Sequence, residues 1–399
     1  MTQLKHSKTP KIRFHGFSED WIKKQFNLIT SRTSLYCCEE NLPRLEYEDI
    51  IPESGQLNKD LSKKKSNKKG IKFEKEDVLF GKLRPYLKNW LLAPFDGIAV
   101  GDFWVLKPSE TVPSFLFRLI QTNMFEVIAN QSAGSKIPRS DWNLVSNSFF
   151  YISASLLEQR KVGVYFNRLD EIITQYQRRH KKLVTLKQAM LQKMFPQGGA
   201  NIPEIRFKGF SGDWEEKKLG DICEIVGGGT PSTSIPEYWG GNIDWYSPTE
   251  IGSNVYARES VKKITQLGLD KCSAKILPAR KTVLFTSRAG IGDMAILKKP
   301  GCTNQGFQSL VLNDDIDTYF IYSMGYMLKN YALKHASGST FLEISSKQLK
   351  KMEIRLPKHS EQQKIGAYFR KLDELISQHA TQLEKLKQIK SACLAKMFV

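Results

Sequence analysis

The chain has 399 residues, of which 41% are hydrophobic, so it can form two or three domains with proper cores. Sixty lysines and arginines against 41 acidic residues give a formal net charge of +19, which indicates a polyanionic partner. No apolar run approaches the roughly 20 residues of a membrane span, the first residues lack a signal peptide's apolar stretch, and the six cysteines show no metal-ligand spacing. We therefore expect a cytoplasmic protein with no membrane partner and no bound metal.

A short motif opens each half of the chain. Residues 10–26 return as residues 203–219, and ten of the 17 positions are identical. Both copies contain the pattern Phe-x-Gly-Phe-x-x-x-Trp, at 14–21 and at 207–214. The sequence therefore contains an internal duplication.

The first variable segment, residues 27–154, has mixed α and β character. Apolar runs bounded by glycine and proline predict strands at 77–80, 98–100 and 103–106, and helical spacing predicts a helix over 113–130. A basic run over 63–70 is interpreted as a solvated loop suited to phosphate contacts.

A long helix follows each variable segment. At a constant offset of 203, 19 of the 41 positions from Ser155 to Phe195 match their counterparts. Apolar residues recur in steps of three and four, which predicts a coiled-coil seam between two helices about 55–60 Å long. The alternative is a pair of amphipathic helices in separate cores. The predicted seam residues are Val162, Phe166, Leu169, Ile173, Tyr176, Leu183, Ile365, Phe369, Leu372, Ile376, Leu383 and Leu386.

The second variable segment, residues 220–357, shares little with the first apart from Val283-Leu284-Phe285, which repeats residues 78–80. Enzyme signatures are missing. The segment 290–292 lacks the third glycine of a dinucleotide fingerprint, and the chain has no Asn-Pro-Pro-aromatic or Asp-Pro-Pro-Tyr tetrapeptide of amino-methyltransferases. We therefore expect a non-catalytic chain, with a fused restriction-methylation enzyme as a disfavoured alternative.

This arrangement resembles the specificity (S) subunit of type I restriction-modification systems. The resemblance rests on the repeated opening motif and on Glu-Gln-x-x-x-Gly at 158–163 and 361–366. Further typical segments are 79–87, 228–232, 287–292 and 304–305. One departure is Ser146-Asn147-Ser148-Phe149-Phe150, where members usually carry a strand ending in Leu-Pro, as at 356–357.

The resemblance implies an α+β fold in which two pseudo-symmetric target recognition domains of mixed α/β structure are separated by two long helices forming an antiparallel coiled coil. The implied boundaries are 1–154 and 197–358 for the recognition domains, and 155–196 and 359–399 for the helical spacers.

The resemblance also implies a non-catalytic, DNA-binding specificity subunit of a bacterial defence complex that cuts DNA and methylates adenine. It would bind a bipartite, asymmetric site in double-stranded DNA together with two methyltransferase (M) subunits and two restriction/translocase (R) subunits. S-adenosylmethionine, ATP and magnesium would belong to those partners, and the location would be the bacterial cytoplasm at the nucleoid. A methylation-only complex and a coiled-coil scaffold that is independent of DNA are the alternatives. The net charge argues against the scaffold.

The candidate DNA contacts are basic and polar residues of the types that meet phosphates and base edges. They are Lys63, Lys64, Lys65, Lys68, Lys69, Lys82, Arg84, Tyr86, Lys88, Ser135, Lys136 and Arg139 in the first domain, and Thr230, Ser232, Tyr238, Ser287, Arg288, Gln305, Gln308, Ser339 and Thr340 in the second.

Overall fold

The computed structural model describes residues 8–61, 64, 67–131, 137–338 and 342–399. The chain divides into two compact units, residues 1–178 with 381–399 and residues 179–380. Each unit contains one opening motif, one variable segment and part of both long helices. No helix in the described ranges is long and apolar enough to cross a membrane.

The first unit begins with a set of short strands. These strands are β1 (Ile22–Gln25), β2 (Thr30–Thr33), β3 (Tyr36–Cys37), β4 (Arg44–Leu45), β5 (Ile50–Ile51), β6 (Gln56–Leu57), β7 (Gly70–Phe73), β8 (Val78–Gly81), β9 (Trp90–Leu92), β10 (Gly97–Ala99), β11 (Phe103–Pro108) and β12 (Phe149–Ile152). Its helices are α1 (Phe26–Ile29), α2 (Pro113–Leu119), α3 (Asn123–Ala129), α4 (Trp142–Asn147) and the first part of α5 (Leu156–Lys193).

The first unit is built on two four-stranded sheets, ordered β2-β11-β8-β9 and β3-β7-β10-β4. Strand β1 pairs antiparallel with β12, and β5 pairs with β6. The three predicted strands are confirmed as β8, β10 and β11. The helical prediction over 113–130 is confirmed, with a break: the structure has α2 and α3, because the Thr122 hydroxyl accepts a hydrogen bond from the Phe125 amide and starts a second helix.

The alternation of side chains along β8 explains its uninterrupted apolar run. Val78 and Phe80 pack into a cluster with residues of α2, α3 and α5, whereas Leu79 packs on the opposite face with residues of the second sheet. Both faces of the strand are therefore buried, so both sets of alternating residues are apolar.

The second unit repeats part of this plan. Its strands are β13 (Glu215–Lys218), β14 (Cys223–Gly227), β15 (Trp239–Tyr246), β16 (Tyr256–Ala257), β17 (Lys262–Ile264), β18 (Thr282–Phe285), β19 (Met294–Leu297), β20 (Gly301–Thr303), β21 (Gln308–Leu312) and β22 (Glu353–Leu356). Its helices are the remainder of α5, α6 (Leu219–Ile222), α7 (Gln266–Asp270), α8 (Thr318–Ser323), α9 (Gly325–His335), α10 (Ser346–Leu349) and most of α11 (His359–Met397).

The pseudo-symmetry extends beyond the repeated sequence. The sheet β14-β21-β18-β19-β16 has the order of β2-β11-β8-β9 with one strand added, and β13 pairs with β22 as β1 pairs with β12. The second sheets, β17-β15-β20 and β3-β7-β10-β4, differ in their strand order. The units therefore share a framework and diverge in the rest of the variable segment.

The long helices pair antiparallel within each unit, as predicted. In the first unit, Leu169 and Ile173 of α5 form a small apolar cluster with Leu386 of α11. In the second, the Lys187 ammonium on α5 lies 2.5 Å from the Asp373 carboxylate on α11. All twelve predicted seam residues are buried or half-buried.

The seam prediction needs one correction, because part of the seam belongs to the unit cores. Val162 and Phe166 pack with Phe115 and Phe398 in the first core. Ile365, Phe369 and Leu372 join the second core in the same way. The beginning of each helix therefore anchors it to a unit.

In each unit, the opening motif contacts the Glu-Gln-x-x-x-Gly segment at the start of the long helix, and we call this contact the joint. In the first unit, Arg13 donates from Nε and Nη2 to the two oxygens of Glu158, at 2.6 and 3.0 Å. In the second, Arg206 makes the same two contacts with Glu361, at 2.7 Å each. Both glutamates are 1% exposed, and these hydrogen bonds raise the pKa of both arginines. Opening motif and helix start are therefore one structural feature.

The glutamine and glycine of Glu-Gln-x-x-x-Gly complete the joint. Gln159 accepts a hydrogen bond from the Val112 amide at the start of α2, and Gln362 accepts one from Asp317 at the start of α8. A Cβ on Gly163 would overlap the Ser114 hydroxyl. The pattern thus holds a variable-segment helix against the long helix, and the close approach explains the glycine.

Candidate nucleic-acid interface

The first candidate surface follows strand β8, where residues 82–88 lie beside residues 138–140. The Arg84 amide donates to the Pro138 carbonyl at 2.8 Å, and the Ser140 amide donates to the Lys82 carbonyl at 2.9 Å. Leu83 and Arg139 form an antiparallel bridge between these hydrogen bonds. Two segments about 55 residues apart in sequence are thus held together by their backbones.

Asp102 joins two of the predicted cations. Its Oδ2 accepts hydrogen bonds from Nε and Nη2 of Arg139, at 3.3 and 3.0 Å. Its Oδ1 lies 3.5 Å from the Lys82 ammonium. Two cations surround one carboxylate, so the cluster keeps a net positive charge.

Tyr47 holds the backbone of this cluster in place. Its hydroxyl donates to the Asp102 carbonyl at 2.6 Å and accepts from the Leu83 amide at 3.3 Å, and its ring stacks on Phe103. Burial raises the pKa of Tyr47, so the hydroxyl keeps its proton for this bond. A Cβ on Gly81 would overlap the ring, so strand β8 has to end in glycine here.

Arg84, Tyr86 and Lys88 lie on the turn after Lys82. Arg84 and Lys88 have left-handed backbones, with φ of +49° and +56°, which costs non-glycine residues energy. Arg84 and Tyr86 are exposed, whereas Lys88 is half-buried and lies 3.2 Å from Glu126. Arg84 and Tyr86 are thus accessible, and the Lys88 charge is partly compensated within the unit.

The predicted basic run is partly neutralised. The Lys64 ammonium lies 2.6 Å from Asp49 and 2.8 Å from Glu46, and Lys68 lies 2.5 Å from Glu46. Lys64, followed by Lys68, holds the pKa of Glu46 below its usual range. Lys69 is exposed. The run therefore contributes less free positive charge than its composition indicates.

The second candidate surface lies around strands β14 and β18. The Thr230 hydroxyl donates to the Gln305 side chain, which brings two predicted residues together in an exposed pair. Ser232 is exposed and shares a hydrogen bond with Ser234 at 2.8 Å. Tyr238 is half-buried. Hydroxyl and amide groups of this kind donate to and accept from base edges.

Burial corrects the prediction for Ser287 and leaves Gln308 a prediction. Ser287 is 0% exposed, its amide donates to the Gly306 carbonyl, and its carbonyl accepts from Ile344. It holds the loop after β18 in place and is excluded from the surface. Gln308 is half-buried, and its side-chain oxygen has no partner among the described residues.

Arg288 remains on this surface, with its guanidinium 3.9 Å from the Glu343 carboxylate. The remaining predicted residues, Lys63, Lys65, Ser135, Lys136, Ser339 and Thr340, lie outside the described residues. Sequence reasoning missed Tyr47, Asp102 and Glu343, because a search for groups that contact DNA does not find the residues that support them.

Comparison with known proteins finds a family match that includes the second candidate surface. Residues 211–388 match the family model of the type I restriction modification DNA specificity domain. This part of the chain is similar to the type I DNA specificity domain. The predicted resemblance to type I specificity subunits is thereby confirmed, and most of the match lies in the unit that carries Thr230, Arg288 and Gln305.

Two relatives are similar over part of their length. The MjaIX specificity subunit of Methanocaldococcus jannaschii is 38% identical over 194 residues, which are 47% of this chain and 44% of that protein. The EcoR124I/EcoR124II specificity subunit of Escherichia coli is 32% identical over 171 residues, 41% of this chain and 42% of that protein. The chain thus spans less than half the length of these relatives.

Solved structures confirm the fold over nearly the whole chain. The type I restriction-modification S subunit from M. genitalium aligns with a TM-score of 0.65 at 16% identity, covering 98% of this chain and 99% of that one. A chain from a study of complex assembly in the type I system aligns with a TM-score of 0.53 at 22% identity, covering 94% and 96%.

Proposed function

We propose that this chain is the DNA sequence-specificity subunit of a type I restriction-modification complex. Each unit binds one half of a bipartite, asymmetric site in double-stranded DNA. The chain itself is non-catalytic in this proposal, and it works in the bacterial cytoplasm at the nucleoid.

The observation that carries the proposal is the pairing of one framework with two different surfaces. In both units the loop after the central strand, β8 or β18, is held by backbone hydrogen bonds to a later segment. The first loop presents Lys82, Arg84 and Tyr86, whereas the second presents Arg288 beside Gln305 and Thr230. Equivalent positions with different chemistry are what two unlike half-sites require.

The net charge of +19 supports a nucleic-acid partner, because neutralised phosphates release counterions and favour binding. The relatives named as specificity subunits support the same role. A scaffold independent of DNA is disfavoured by the exposed cations on the variable segment as well as on the helices.

The partners follow from the same proposal. The paired helices would dock two methyltransferase subunits and set the distance between the half-sites, and two restriction/translocase subunits would complete the complex. S-adenosylmethionine, ATP and magnesium would be bound by those partners. A methylation-only complex is the variant of this proposal without the restriction subunits.

The decisive experiment is to express the chain with its methyltransferase partners in a host and map modified bases across the genome. We expect one bipartite motif with unlike halves. A DNA-binding assay with the same complex should show affinity that falls steeply with salt and favours that motif. Modification without a motif, or binding without sequence preference, would overturn the proposal.

A further inference from the structure

Asp102 holds Arg139 along one particular edge of its guanidinium. Both donors that contact the carboxylate, Nε and Nη2, belong to the side of the fork. The end of the fork, formed by one N–H of Nη1 and the second N–H of Nη2, is left unused by this contact. The Arg139 side chain is 56% exposed, so a ligand can reach it.

The end of an arginine fork has a preferred partner on DNA. Guanine presents two acceptors, N7 and O6, side by side in the major groove, and a bidentate arginine is the commonest specific contact to this pair. A carboxylate along the side of the fork restricts the rotation of the guanidinium, so less conformational entropy is lost when the fork binds.

The surroundings of Asp102 make this arrangement stiff. Its carbonyl accepts from the Tyr47 hydroxyl at 2.6 Å and from the Lys82 amide at 2.9 Å. The backbone of Arg139 is bridged to Leu83. The backbones of Asp102 and Arg139 are therefore both held by hydrogen bonds, although the two residues are 37 positions apart in the sequence.

We propose that Arg139, oriented by Asp102, reads a guanine in the half-site bound by the first unit. Arg139 is the base-contacting residue, and Asp102 is a positioning residue that acts through it. Lys82, on the other carboxylate oxygen, keeps Asp102 compensated and leaves its remaining ammonium protons for the neighbouring phosphate. This inference rests on the proposed function and names one base of the site.

The test uses the full chain assembled with its methyltransferase partners. Competition binding compares duplexes that carry the mapped motif with duplexes in which each guanine of the first unit's half-site is replaced in turn by adenine or by 7-deazaguanine, which lacks N7. That half-site is the one that changes when residues 27–148 are exchanged. We expect one guanine at which the wild-type complex discriminates by about fivefold to a hundredfold.

Two variants should remove that preference for different reasons. Arg139→Ala should abolish discrimination at this guanine and leave the other positions unchanged. Asp102→Asn keeps the backbone carbonyl and its two hydrogen bonds, so the unit should fold normally. It should reduce discrimination at the same guanine while binding to unrelated DNA stays equal or becomes tighter, because a negative charge is removed.

Arg84→Ala is the matched control, because Arg84 is an exposed arginine on the same surface with no carboxylate partner among the described residues. As a member of the proposed DNA surface it can lower the total affinity, but it should keep the preference at this guanine. The inference is overturned if Arg139→Ala discriminates as the wild type does at every guanine. It is also overturned if this variant weakens binding to all sequences equally and flattens the salt dependence, which would indicate a phosphate contact.

Failure of this inference and failure of the proposed function give different results. A wild-type complex that prefers its motif while the Arg139 variant is unaffected overturns only the guanine contact. A wild-type complex without any sequence preference overturns both.

Discussion

At the scale of single residues, the buried ion pair between Arg13 and Glu158 shows what the opening motif is for. Glu158 also accepts from the indole of Trp21 at 3.2 Å and from the Ser153 hydroxyl. A carboxylate that is 1% exposed and holds an arginine, a tryptophan and a serine couples the motif to the helix start. Removing one partner of such a buried pair lowers the free energy of unfolding by more than the intact pair contributes to it, because the other charge stays buried without a partner.

Glu158→Gln should therefore lower the free energy of unfolding of the first unit by about 3 kcal/mol, since Arg13 loses its counter-charge. Urea denaturation followed by tryptophan fluorescence measures this change. Glu19→Gln, at an exposed position in the same motif, is the control and should change stability by less than about 0.5 kcal/mol. Equal effects of the two variants would show that the pair has no structural role.

A second residue-scale prediction concerns Gly163. Replacing a glycine inside a helix by alanine normally stabilises a protein by roughly 1 kcal/mol. Here Gly163→Ala should be destabilising, because the new methyl group overlaps Ser114. Thermal unfolding measures the sign, and adding Ser114→Gly should restore part of the loss. A stabilised single variant would show that the two helices have room to move apart.

At the scale of elements, the long helices carry a reciprocal pair of charges. Asp170 of α5 lies 2.6 Å from Lys390 of α11, and Lys187 of α5 lies 2.5 Å from Asp373 of α11. Each pair consists of the same two repeat positions with the helices exchanged. Polar residues in a seam favour one register over others at some cost in stability.

Asp170→Asn and Asp373→Asn should have unequal effects, although the positions are equivalent. Asp170 also holds Arg118, which is 2% exposed, at 2.7 Å, so its loss leaves two cations without their carboxylate. We expect a loss of about 3–5 kcal/mol. Asp373 holds Lys187, whose side chain is 24% exposed, and the Tyr319 hydroxyl, which stays neutral when the carboxylate is lost. For Asp373→Asn we therefore expect a loss of about 1–2 kcal/mol. Chemical denaturation of the two variants measures the difference, and equal losses would contradict the role assigned to Arg118.

How well the sequence predicted these elements depended on how far apart in sequence the interacting residues are. Strand β8, the helices α5 and α11 and their seam were predictable because their signals are periodic within one segment. The break at Thr122 and the core positions of Val162 and Phe166 depended on packing that a seam pattern does not contain. The cluster of Lys82, Asp102 and Arg139 was missed as a unit, because three separate stretches of chain are brought together only by the fold.

At the scale of the whole molecule, the structure shows where the first variable segment leaves the shared framework and returns to it. The strand pair β1–β12 belongs to the shared framework, since its counterpart is β13–β22. Under the proposed function, replacing residues 27–148 by the equivalent segment of a type I specificity subunit should therefore change one half of the modified motif and leave the other intact. Base-modification sequencing reads the outcome. A change in both halves, in an assembled complex, would show that the units do not read DNA independently.

The pairing of β1 with β12 brings the two ends of the first variable segment together, which matters for how the gene can diversify. Directly opposed residues of an antiparallel pair are roughly 5 Å apart, so a variable segment leaves the framework and returns to it at almost one point. Recombination between the repeated stretches on either side can then exchange a complete variable segment without altering the distance between its ends. If each unit reads one half-site, as proposed, such an exchange would give a new target in a single genetic event and leave the framework sequence unchanged.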